Sequence, residues 1–388
     1  MKVNFYLLLL AAVAWALPAS AAYDGTFRVR AASYNIRCKT NESNATNEWD
    51  DRKADLVNLV KNIAPDVVGF SEVRSAQYDY LKAQLPAYTF VGEYRDTVST
   101  AEATPVAFRK DRFALLKSGT FWLSATPNVV GSKAWGNGIE DSGLPRICTW
   151  TLLRDKTTGG VMCFASTHLD LKEGPRLAGM RLILSKLVVA YEAVGVPCIV
   201  VGDMNALETE DSMLAAAAAM QDSLLVSKTT PAGSWRSFTD FSWKDSEASC
   251  ADVLANYTAA QRTANTSTLG KRIDYIFSSF GTEVESFATR NDARPGKQYY
   301  PSDHYPVVAD LKMSCANSYY TGKVRVEIDK DAELSRVATG RYVLTRDAKL
   351  PNADNLEFVL PDWVERAAVE DGEIVVYTKP EPFTLRVK

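Results

Sequence analysis

Histidine is almost missing from this 388-residue chain, with only His168 and His304 present. That scarcity argues against zinc, which usually recruits several imidazoles or cysteines. Cysteine is also thin, six residues spread from Cys38 to Cys315, so no disulfide scaffold is encoded. Cys163 and Cys198 fall inside apolar runs that read as central strands and are expected as buried thiols. Cys38, Cys148, Cys250 and Cys315 remain free to pair in combinations that spacing does not decide. A basic excess is lacking too: the net charge is −3, which disfavours tight, non-specific gripping of duplex nucleic acid. Internal repeats and low-complexity stretches are absent, which excludes a solenoid and a disordered chain.

Long hydrophobic runs are lacking beyond the first residues. There, one early lysine (Lys2) precedes an apolar stretch from Phe5 to Leu17, followed by Ala19-Ser20-Ala21. The stretch is shorter than the ~20 residues of a spanning helix, and the small residues resemble a cleavage site. Residues 1–21 are therefore expected to be an export signal, and the mature protein to be periplasmic or secreted with no transmembrane segment. Four N-x-S/T sequons, at Asn41, Asn44, Asn256 and Asn265, bear on the fold only in a glycosylating host.

What remains alternates short β-rich runs with helical patterns, the mark of an α/β domain, here over residues 22–315. "FRVRAASYNI" reads as a strand, and "DDRKADLVNLVKNIA" follows as a helix with Leu56, Leu59, Val60 and Ile63 at helical spacing, stopped by Pro65. "DVVGFSE" is a strand and "SAQYDYLKAQL" a helix. "TPVAFRK" and "RFALLKSGTFWL" look like paired strands joined by a short turn, and residues 124–144 like an irregular glycine-bearing loop. "RICTWTLLR" and "GVMCFASTH" read as a hairpin, residues 174–193 as a helix, and "PCIVVGD", "KRIDYIFSS" and "YPVVADLKM" as strands. Residues 316–388 change character to short alternating runs with no helix, a small β-rich C-terminal domain of packing or binding role.

Polar residues recur at the ends of the apolar runs. Asn35 ends "AASYN", Glu72 ends "VVGFSE", His168 ends "VMCFASTH", Asp203 and Asn205 end "CIVVGDMN", and Asp303 with His304 precedes "YPVVAD". Singly, Asn35 is a turn former, Glu72 a cap for the next helix, Asp203 a turn residue and His168 a satisfied imidazole. Together they repeat one placement, functional groups on strand ends held by a rigid scaffold. Residues two apart in extended chain share a face, so Asp203 and Asn205 are expected to project together. Asp274 lies within an apolar strand and needs a partner; His304 suits it, because a carboxylate fixes one ring nitrogen and stabilises the charged ring. The donor inventory is mostly oxygen, which favours Mg²⁺ or Mn²⁺ and fits attack of water on phosphorus.

The ordered set "YNIR", "SEV", "THL", "GDMN", "RIDYIF" and "SDH" resembles the endonuclease/exonuclease/phosphatase superfamily, the DNase I-like group, over about 285 residues. "GTFWLSATP" and "LPRICTW" look like a bacterial exported branch related to the carbon catabolite repressor deadenylases. The resemblance implies a four-layer α/β sandwich, two facing mixed β-sheets with outer helices. It implies Glu72 as the principal metal ligand with Asn35 and Asp303 nearby. Asp203 would orient or deprotonate the water, with Asn205 steadying it. His304, oriented by Asp274, would meet the scissile phosphate, and His168 would be a second phosphate contact or general acid, with Asp170 a candidate to orient it. Arg146 and Arg37 are each either a phosphate contact or a salt-bridge residue. The sequence departs from the family pattern at Ser71, where many members have glutamine, at Arg37, where several nucleases have an acid, and at Met204, often phenylalanine.

The leading expectation is a Mg²⁺-dependent phosphodiesterase acting on nucleic acid, single-stranded rather than duplex, or on nucleotides. A lipid- or sugar-phosphate hydrolase is the alternative, with Trp122, Trp135 and the glycine-bearing loop as a substrate lip. A non-catalytic binding protein is the third.

Overall fold

The computed structural model describes residues 26–192, 195–244, 246–292 and 299–314, together with six short strands between 324 and 378. The chain opens with β1 (Thr26–Asn35), α1 (Trp49–Ile63), β2 (Val67–Ser71), α2 (Ser75–Gln84), β3 (Tyr88–Val91) and β4 (Val106–Arg109). Next come β5 (Phe113–Trp122), β6 (Ile147–Asp155), β7 (Val161–His168), α3 (Glu173–Ile183), α4 (Ala190–Glu192) and β8 (Cys198–Asp203). The domain closes with α5 (Asp211–Ala219), β9 (Gln221–Asp222), β10 (Ala232–Gly233), α6 (Cys250–Asn256), α7 (Ala259–Ala264), α8 (Thr266–Leu269), β11 (Asp274–Ser278), β12 (Glu283–Thr289) and β13 (Val307–Ser314).

Two mixed sheets result. One has seven strands in the order β10-β12-β13-β1-β2-β4-β3, the other six in the order β5-β6-β7-β8-β11-β9. Their inner faces share one buried cluster, with Val29, Val67 and Val106 of the first sheet against Phe164, Val201 and Ile276 of the second. Close approach explains Gly69 on β2: a Cβ there would lie 2.5 Å from Val201 Cγ2 and 2.6 Å from Ser166 Oγ. Outer layers cover the backs of both sheets. Leu56, Leu59, Val60 and Ile63 of α1 pack on Ala32, Val68 and Ala107, and Met180 and Ile183 of α3 pack with Met213 of α5 on Ala165 and Val200. This is the expected α/β sandwich of two facing sheets with outer helices.

Three details differ from the sequence reading. β4 and β5 are not partners: β4 pairs with β2 and β3, whereas β5 pairs with β6 in the other sheet. The short turn between them crosses the sandwich, because both strands carry an apolar face that each sheet can bury. The helix from 173 is interrupted by a π-helical segment, Leu184–Val189. Cys38, Cys148, Cys163, Cys198 and Cys250 are all free and buried. Cys315 and the export segment 1–21 lie outside the described residues. Beyond Ser314, β14 (Val324–Glu327) pairs in parallel with β17 (Leu356–Val359). A four-stranded antiparallel sheet contains β15 (Leu334–Ala338), β16 (Arg341–Leu344), β18 (Val364–Glu370) and β19 (Glu373–Thr378).

Candidate active site

Register places the functional groups. His168 is aligned with Asp203 across the parallel β7–β8 pair, and Asp203 with Asp274 across the antiparallel β8–β11 pair. Asn35 is aligned with Ser71, the residue before Glu72, across β1–β2. Three strand ends of one sheet thus meet two of the other. Gly202 permits this: a Cβ there would fall 1.9 Å from the Thr167 carbonyl oxygen on the neighbouring strand. Glu72, Asn205 and Arg37 have φ of 63°, 49° and 54°, a left-handed backbone that costs a non-glycine residue about 1–2 kcal/mol. Three such residues at one place mark strain of the kind held at functional sites.

Asp203 is the hub. Its Oδ2 accepts from Asn35 Nδ2 at 2.9 Å and lies 3.4 Å from His168 Nε2 and 3.6 Å from His304 Nε2. The same Asn35 nitrogen donates to Glu72 Oε1 at 3.0 Å, while Cys38 N–H donates to Glu72 Oε2. His304 Nδ1 donates to Asp274 Oδ2 at 2.8 Å, which leaves Nε2 aimed at the hub. Asp303 sits beside it, its Oδ1 taking Ser302 Oγ–H and its Oδ2 lying 3.8 Å from Arg37 Nη1. Glu72, His168 and Asp203 present ligand atoms within 4.8 Å of one another, as do Asp203, Asp274 and His304.

The charges are unevenly settled. Burial opposes ionisation of Glu72, yet the Cys38 N–H, Asn35 and the His304 imidazolium pull its carboxyl below the usual carboxylate range. Burial and Asp274 hold Asp203 up at about 7, against the pull of His304. Burial and Glu72 likewise raise Asp303. For His304, Asp274, Asp203 and Asp303 outweigh burial and hold the imidazolium well above its usual range. Burial, Arg146 and Arg95 push His168 well below it, so that ring is neutral. Acids crowded together and reluctant to ionise are what a divalent cation relieves, and carboxylate oxygens beside neutral imidazole suit one. The donor set therefore fits a divalent metal.

A family model described as Endonuclease/Exonuclease/phosphatase family matches residues 32–304, the span that carries every group named above. The chain belongs to that family. A solved endonuclease/exonuclease/phosphatase of Bacteroides vulgatus is 30% identical, with 74% of this chain and 98% of that one covered and a TM-score of 0.61. A mannosyl-6-phosphatase of Bacteroides thetaiotaomicron is 28% identical, with 73% and 99% covered and a TM-score of 0.61. An uncharacterised protein of Acanthamoeba polyphaga mimivirus is 25% identical over 172 residues, 43% of this chain, and that match spans 62% of the viral protein. Family members of this kind hydrolyse phosphate esters, and the chain is a hydrolase of that class.

Some residues of this family site stand where the sequence placed them, and some do not. Asn35, Glu72, His168, Asp203, Asp274, Asp303 and His304 converge. Glu72 does not cap α2, since its oxygens serve Asn35 and Cys38. Asn205 does not share an extended face with Asp203: its backbone turns left-handed, its N–H caps Asp203 Oδ1, and its Nδ2 donates to Leu169 O. Asp170 turns away from His168 to accept from the backbone of Gly143 and Lys172, with Arg146 Nε 3.6 Å away. Arg37 pairs with Glu42 at 2.9 Å as well as facing Asp303. Trp122 forms no lip, because it is buried and its Nε1–H donates to Arg95 O. Trp135 packs partly buried against the α3 side.

Two arginines that tie the site loops together were missed. Arg52 is fully buried and donates to the carbonyls of Ile36, Arg37, Asn47 and Pro301, clamping the Asn35 loop to the Asp303–His304 loop. Arg176 holds the Leu171 and Asn205 carbonyls while pairing with Glu173 and Glu210. Arg52 was legible as the one charge on the Trp49, Leu56, Leu59, Ile63 stripe, where a charge needs a buried partner.

Proposed function

We propose that the chain hydrolyses phosphate esters with a divalent cation, Mg²⁺ or Mn²⁺, held by Glu72 with Asn35 and Asp303 close by. The observation that carries this reading is the gathering of Glu72, Asp203, His168 and His304 around one oxygen-rich point. The bound cation would polarise a phosphoryl oxygen and offset its growing negative charge. Asp203, with its carboxyl near neutrality, accepts the proton of a water aligned with phosphorus. His304 donates from Nε2 to a phosphoryl oxygen, its ring fixed by Asp274. His168, neutral and beside Asp203, orients the water or the phosphate. Asn205, whose side chain is tied to the Leu169 carbonyl, steadies the β8 turn rather than reaching outward.

The sequence expectation of a nuclease or nucleotide phosphodiesterase and the alternative of a sugar-phosphate hydrolase both use this chemistry. The mannosyl-6-phosphatase, similar over nearly its whole length, supports the second. The net charge of −3 also suits a small ester better than a long polyanion. An exported location completes the proposal, on the strength of residues 1–21 alone. Loss of the positioned base in Asp203→Asn is expected to cut hydrolysis about 1,000-fold, measured as ester turnover with added Mg²⁺. Full activity in that variant refutes the assignment.

A further inference from the structure

We propose that Arg95, Thr104 and Arg146 form a pocket for an unesterified phosphoryl oxygen, so that the site selects phosphomonoesters over phosphodiesters. This rests on the phosphoester-hydrolase reading and narrows its substrate. The pocket is lined by Glu72, Arg95, Glu102, Thr104, Arg146 and His168, among others. Every lining residue except Glu72 is buried, so the pocket is reached from the side of the cation cluster. Three polar atoms of its lining residues are buried without a hydrogen-bond partner: Arg95 Nε, Arg146 Nε and Thr104 Oγ1. Leaving a buried donor unpaired costs about 1–3 kcal/mol, and three around one cavity point to something that belongs there. Glu102 does not satisfy them. Its Oε2 holds Arg95 Nη1 at 2.8 Å, which keeps the guanidinium edge fixed, while Asp170 stands 3.6 Å from Arg146 Nε. The open groups offer hydrogens, so the occupant offers acceptor oxygen.

Size and count select the monoester. The cavity of ≈ 10 Å³ admits one water-sized oxygen and no carbon chain behind it. Around the phosphate the site has three separate places for oxygen: the cation at Glu72, the His304 Nε2 donor, and this pocket. A diester has two unesterified oxygens, and its third would carry a substituent into a cavity with room for one oxygen. A monoester has three. In the reaction the water oxygen bonds to phosphorus and the ester P–O bond breaks. Its electron pair stays on the leaving oxygen, which takes up a proton. The products are an alcohol and inorganic phosphate, and nothing is oxidised or reduced.

The test compares p-nitrophenyl phosphate with bis(p-nitrophenyl) phosphate on the full chain with added Mg²⁺. Wild type is expected to favour the monoester in kcat/KM by about 100-fold, and Arg95→Gln or Arg146→Gln to lose about 100-fold on the monoester alone. Thr104→Val, which leaves every charge in place, is expected to lose about 10-fold on the monoester. A wild-type rate on the diester equal to or above the monoester rate overturns the inference, as does a parallel loss on both esters. Calorimetric binding of inorganic phosphate separates the two levels of the argument. If neither ester is hydrolysed, the hydrolase reading fails. The pocket then stands if phosphate binding weakens in Arg95→Gln and Arg146→Gln, and falls if binding is unchanged.

Discussion

At the scale of single residues, the surroundings of the two imidazoles set them in different protonation states. His304 faces Asp274, Asp203 and Asp303, which hold it protonated; His168 faces Arg146 and Arg95, which keep it neutral. Asp274 is bonded to Nδ1 of His304, so its removal leaves Nε2 free for the proposed phosphate contact and changes the charge. In Asp274→Asn the largest of the three raising influences is gone, while Asp203 and Asp303 remain, and His304 loses its proton at lower pH than before. Activity is therefore expected to begin its fall with rising pH earlier than in wild type, read as a shift of the basic limb of the kcat/KM profile. An unshifted basic limb contradicts the pairing as the source of that charge.

At the scale of elements, two buried arginines join the loops that the strands deliver. Arg52 leaves α1 to hold carbonyls on three segments, and charged hydrogen bonds are worth about 1.5–3 kcal/mol each. Arg52→Met is expected to lower unfolding stability by about 3 kcal/mol, measured by denaturant melts. It should also weaken cation binding, because the Ile36–Arg37 and Pro301 carbonyls no longer share a tether. The sequence made some elements plain. The apolar spacing of α1, the runs of β7 and β8, and Asp274 set into β11 all follow from periodicity and from the need to pair a buried acid. It hid others. β4 and β5 look like hairpin partners, because a three-residue turn reads the same whether it stays in one sheet or crosses to the other. The alanine-rich α5 and the short α6, α7 and α8 show no apolar stripe long enough to call. Arg95, Glu102 and Thr104 sit in ordinary loop sequence, and it is the antiparallel bridge between Val73 and Ala103, with the Trp122 Nε1–H bond to the Arg95 carbonyl, that brings them to Glu72.

At the scale of the whole molecule, the first and last strands of the sandwich, β1 and β13, lie side by side in the middle of the larger sheet, with Thr26 paired to Ser314. We propose that residues 316–388 form a separate β-rich unit. A chain ending at Cys315 is expected to melt within a few degrees of the full chain and to keep its ester turnover. A loss of both would show that the later strands complete the fold. The proposed chemistry of the converging side chains rests on one thing, a divalent cation held at Glu72. The direct measurement is a calorimetric titration of Mn²⁺ into wild type and Glu72→Gln. One site in wild type, weakened at least 10-fold in the variant, is the predicted result. Equal binding by the two proteins, or none by wild type, would contradict the account.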